Sequence, residues 1–131
     1  MTVKIWRLLG EYDAETTTYS ALAGTPASPY TPDFNGRLVG LRTIVSGSAV
    51  TSLTRHIQFR LSCTSFRPNT IEIAAQGVGL ETAPVHPGPV IDWPVDQPVT
   101  AGVPVTIEAR NITAATPITV ETFVYGQFEV Q

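Results

Sequence analysis

Cysteine is nearly absent from this 131-residue chain: Cys63 stands alone, so no intrachain disulfide framework can form. Lysine is as scarce, since seven of the eight basic residues are Arg and only Lys4 is Lys. Eight basic against eleven acidic residues leave a net charge of -3. That balance offers no basic patch and argues against direct nucleic-acid binding. No run approaches the roughly 20 apolar residues that span a bilayer. The first ten residues carry Lys4 and Arg7 within too short an apolar stretch for a secretion signal, so manufacture in a cytoplasm is expected. Only two histidines occur, His56 and His86, far from the clustered pattern of a metal site on a β-scaffold, and no cofactor is expected. No nucleophile-elbow sequence supports a hydrolytic triad, and the chain reads as a non-enzyme.

What is present is β-structure. Hydrophobic residues make up 43% of the chain and charged residues 15%, which excludes a disordered polyampholyte and suits a protein that covers surface by associating. From Ile118 to Val130 the pattern is plainest. Ile118, Val120, Val124, Phe128 and Val130 fall on one side of a two-residue period, and Thr119, Glu121, Phe123, Tyr125, Gln127 and Glu129 on the other. This predicts a long strand with partners along both edges. Gly126 within it marks a bulge or a close approach.

Earlier in the chain, Val3 to Leu9 predicts a first strand ended by Gly10. Glu11, Asp13 and Glu15 recur every second residue; they read as a solvated acidic edge rather than a Ca²⁺ site. Thr16 to Leu22 is β-prone. Gly24 to Gly36, with Pro26, Pro29 and Pro32, predicts an extended loop. Leu38 to Val45 is a strand, and Ala49, Val50 and Leu53 suggest a short helical turn. Arg55 to Thr64 alternates with Ile57, Phe59, Leu61 and Cys63 inward, and pairs through Arg67-Pro68-Asn69 with Thr70 to Leu80. Pro84 to Pro98, holding five prolines, reads as a long loop with a short edge strand at Val90 to Trp93. Val103, Val105, Ile107 and Ala109 alternate inward, and Asn111 to Pro117 turns into the last strand. Asn111-Ile112-Thr113 matches a glycosylation sequon and reads as a turn. Arg42 and Arg60 are expected to share a polar face with Glu72 or Glu108.

About eight strands and no long helix predict an all-β chain, a single-domain jelly-roll antiparallel β-sandwich over residues 1–131; an immunoglobulin-like sandwich is the alternative. The aromatics Trp6, Tyr30, Phe34, Trp93, Phe123 and Tyr125 are the candidate interface residues, from the first strand, the two proline-rich stretches and the outward side of the last strand. They are expected to be covered by neighbours, within the chain or from another subunit, rather than to form a sugar-stacking platform.

Three segments together resemble the single jelly-roll structural proteins of icosahedral viruses: Phe34-Asn35-Gly36-Arg37-Leu38-Val39-Gly40, the Arg55 to Thr64 strand, and Val120-Glu121-Thr122-Phe123-Val124-Tyr125-Gly126. The resemblance implies a capsid or other virion subunit, a homo-oligomer contacting other virion proteins and residing in the virion. A carbohydrate-binding, lectin-like module on the same fold is the competing expectation.

Overall fold

The last strand is the axis of one sheet. Rich in β-branched and aromatic residues, it runs as β9 (Val120–Val130) and is hydrogen-bonded along both edges, antiparallel to β1 (Val3–Glu11) and to β3 (Gly36–Gly47). The structure is a computed structural model that describes residues 2–12, 17–47, 53–80, 90–112 and 120–131. The other strands are β2 (Ser20–Ala21), β4 (Leu53–Ser62), β5 (Thr70–Glu72), β6 (Gln76–Leu80), β7 (Val90–Val99) and β8 (Thr106–Asn111). No helix occurs among the described residues, and none is long and apolar enough to cross a membrane.

The strands form two antiparallel sheets, β1-β9-β3-β7 and β2-β8-β4-β5, with β6 also on β4. Because β5 and β6 pair successive stretches of β4, they act as one interrupted strand. Counted so, the first strand pairs with the last (β1–β9), the second with the next to last (β2–β8), the third with β7, and the fourth with β5/β6. A four-pair hairpin rolled up in this way is a jelly roll.

Alternation decides the core. Ile57, Phe59, Leu61 and Cys63, as expected, are all buried, with Val105, Ile107 and Ala109 beside them; Leu9, Leu38, Leu41, Trp93, Val124 and Phe128 face them from the other sheet. The Phe59 and Trp93 rings meet edge to face at 4.8 Å, which pins the two layers together. Gly126 causes no register shift in either ladder. It marks a close approach instead: a Cβ there would sit 2.8 Å from the Phe128 ring and 3.0 Å from Leu9.

Several expectations are corrected. The short edge strand expected at Val90 to Trp93 is longer than expected: β7 spans ten residues and includes Pro94 and Pro98. It lies at the sheet margin, where a strand needs hydrogen bonds along one edge only and proline is tolerated. Among the described residues of Thr16 to Leu22 only Ser20 and Ala21 form a strand, and the first strand continues through Gly10 to Glu11 by way of a bulge between Leu8 and Gly10. Leu53 opens β4 rather than a helical turn, whose other residues lie outside the described ones. Asn111 ends β8 and is buried rather than lying in a turn. Asp13, Glu15, His86 and residues 113–119 also lie outside the described residues.

A candidate interface on the four-stranded sheet

Which side chains share the outer face of the four-stranded sheet follows from register. Four rows cross it from β1 to β7: Lys4–Glu129–Arg37–Pro98, Trp6–Gln127–Gly40–Pro94, Leu8–Tyr125–Arg42–Asp92, and Glu11–Phe123–Ile44–Val90. Charge dominates the first of these rows, while Phe123, Ile44 and Val90 stand together in the last, with Glu11 at the β1 margin and the Ser46–Glu121 pair beyond. At the charged end Arg37 Nε donates to Asp96 at 2.7 Å. At the apolar end Phe123 and Ile44 are half-buried and Val90 is 40% exposed.

Between these ends sits a clamp. Arg42 donates to both Asp92 oxygens, from Nε at 2.6 Å and from Nη2 at 3.1 Å, and its guanidinium lies 4.6 Å from the centre of the Trp6 ring. Gln76 Nε2 donates to the Asp92 carbonyl at 3.0 Å, tying the end of β6 to β7. The Arg42 hydrogen bonds hold the Asp92 carboxyl below the usual carboxylate range. Trp6, 40% exposed, stands over an open hollow of about 400 Å³ lined also by Gly40, Arg42, Asp92, Pro94 and Gln127.

The six candidate aromatics part company. Trp6, Phe123 and Tyr125 lie on this face, as their registers require. Trp93 does not: it is 1% exposed, packed on Phe59, and its indole N–H donates to Thr43 Oγ1 at 3.0 Å. Trp93 belongs to β7, in the inward register, so its own chain covers it. Tyr30 and Phe34 are half-buried against Phe128, at 5.4 and 5.3 Å between ring centres. The 24–36 segment is held there by a bridge between Tyr30 and Val105 and by Ser28 Oγ, which accepts from Ile107 N at 2.8 Å. These three aromatics are thus covered by their own chain, and the six do not form one coplanar platform.

The outer face of the other sheet is different in kind. Arg60 Nε donates to Glu108 at 3.0 Å, and Arg110 donates to Gln58 Oε1 at 3.0 and 2.7 Å. Tyr19 lies beneath both guanidinium groups, at 4.2 and 4.6 Å. Burial, with the charge of Glu72 adding to it, pushes the Tyr19 phenol above its ordinary pKa. Arg60 thus pairs with Glu108 as expected, whereas Arg42 belongs to the opposite sheet and pairs with Asp92. His56 is exposed on β4, and Cys63 is a buried free thiol. Among the described residues no group of three or more His, Cys, Asp or Glu could hold a metal ion.

The sequence pattern carried no signal for the Arg42–Asp92 clamp or for Gly40. Both depend on β7 lying beside β3, and the prolines of β7 conceal that strand.

No protein-family model and no curated protein match the chain. Among solved structures it is similar to a chain of the acid-stable capsid of the Helicobacter pylori bacteriophage KHP30, with 13% identity and a TM-score of 0.44, over 99% of this chain and 94% of that one.

Proposed function

We propose that this protein is a non-enzymatic structural subunit that associates with copies of itself, and specifically a capsid or other virion subunit. Jelly rolls serve as capsid, lectin and cupin domains alike, so the fold leaves the choice to the surface. The observation that carries the reading is the apolar end of the outer four-stranded face, where Phe123, Ile44 and Val90 form one row with Tyr125 beside it. An apolar row on an outer sheet face, rimmed by charged residues, has the layout of a contact surface. The low proportion of charge fits large contacts with protein better than contact with a genome. The chain as a whole would act as one rigid brick, the two-sheet core holding the contact row in place.

Light scattering on a gel-filtration column across a concentration range, with negative-stain microscopy of the peak, tests this. A closed oligomer or shell is the expected result. A monomer persisting at the highest concentration contradicts it.

A further inference from the structure

We propose that the hollow beside Trp6 is a binding site for a neutral saccharide ring of hexopyranose size. The hollow exists because of a gap in one row. In Trp6–Gln127–Gly40–Pro94, Gly40 has no side chain at the centre of the sheet, beside a register shift between Leu38 and Gly40. β-Bulges are over-represented next to functional sites. The gap is not forced by crowding, for a Cβ on Gly40 would meet only the Trp93 carbonyl at 3.6 Å and Gln127 Oε1 at 3.9 Å, both ordinary contacts. The space left, about 400 Å³, falls within the roughly 300–1,000 Å³ of small-molecule pockets.

The lining suits a sugar. Trp6 supplies the indole surface that the Arg42 guanidinium does not cover, for the C–H face of a pyranose ring. Ionised Asp92 is an acceptor only, held in orientation by two bonds from Arg42 yet with its side chain 67% exposed, so lone pairs remain for ligand hydroxyls. Gln127 brings an amide with both donor and acceptor capacity. Arg42 and Asp92 cancel in charge, so an anion entering here meets a carboxylate and a cation meets a guanidinium. A neutral polyol meets neither penalty. The Trp6 row lies two rows from the Phe123–Ile44–Val90 row, with Arg42 and Asp92 in the row between them.

Two tryptophans make the test specific, since each indole N–H gives its own proton–nitrogen NMR signal; Trp93 also borders the hollow, but its indole N–H is buried on Thr43 and reports on the fold. Glucose, galactose, mannose and N-acetylglucosamine are titrated to tens of millimolar, each as free sugar and as methyl glycoside, with inorganic phosphate alongside. The expected result is a saturable shift of the Trp6 signal with at least one neutral sugar. Binding of methyl glycosides as well as free sugars points to the end of a glycan chain, and binding of free sugars alone to a soluble reducing sugar. Gly40→Leu, which fills the hollow, and Asp92→Ala, which removes the acceptor, each weaken binding at least tenfold. Where Gly40→Leu disturbs the Trp93 signal, Asp92→Ala decides alone. No shift with any sugar, undiminished binding in Asp92→Ala, or a Trp6 shift with phosphate only would overturn the proposal.

Discussion

The two outer faces of this sandwich are built on the same pleat from opposite materials. On the five-stranded sheet, Arg60, Glu108, Arg110 and Gln58 bind one another across β4 and β8, and Tyr19 lies under both arginines. Its polar groups are spent on their neighbours, which leaves a surface that water can cover and that needs no partner. On the four-stranded sheet one clamp, Arg42–Asp92, separates a gap at Gly40 from a row of Phe123, Ile44 and Val90. Both sheets contribute their inner faces to one buried core, so the difference lies on the outside. Under the function proposed above, the apolar row is where a second copy would sit.

Substitutions on the two faces can break that contrast. The largest effect is expected from Phe123→Ser with Tyr125→Ser, which removes most of the aromatic surface near the apolar end. Light scattering should show assembly lost while the β-rich circular dichroism spectrum persists. The matching pair on the other sheet, Arg60→Ser with Arg110→Ser, should leave assembly unchanged. If the first pair unfolds the chain, these side chains belong to the core and the contrast fails.

Next comes a control on the inner side of the four-stranded sheet. Thr43→Val keeps the shape but takes away the acceptor of the buried Trp93 indole N–H, and should cost about 1–3 kcal/mol in chemical denaturation. A loss this size would show that Trp93 serves the core and not a surface.

Smaller still is the Arg60–Glu108 pair, whose coupling in a double-mutant cycle should fall at roughly 0.2–1 kcal/mol, as for other cross-strand pairs at a wet surface. A coupling several times larger would mean that the polar face holds the fold together rather than merely covering it.

The least effect is expected from pH. Arg42 lowers the folded-state pKa of Asp92, so the pair's contribution is present above the ordinary carboxylate pKa and is lost as pH falls through the lowered value. Asp92→Asn should therefore narrow the stability gap between variant and parent in acid, from a gap at neutral pH below roughly 1 kcal/mol for so exposed a pair. Denaturation midpoints at neutral and acid pH, compared between parent and Asp92→Asn, check the sign.

The same contrast marks where the sequence was legible. Alternation showed the inward residues of β4, β8 and β9, because burying one face of a strand imposes a period of two that no neighbour can mask. Phe123 and Tyr125 could be placed on the outer face for the same reason. β7 was visible only as a short edge strand at Val90 to Trp93, since the five prolines between Pro84 and Pro98 read as loop around it. With the length and the partner of β7 unseen, Asp92 could not be placed beside Arg42. The hollow was harder still, for it depends on an empty position, Gly40, beside a register shift that leaves no trace in composition.

The most direct test of the account is hydroxyl-radical footprinting of the protein at dilute and at assembling concentrations. The account predicts protection on assembly at Phe123, Tyr125 and Ile44, with Tyr19 on the opposite sheet unchanged. Protection at Tyr19 instead, or equal labelling at both concentrations, would contradict it.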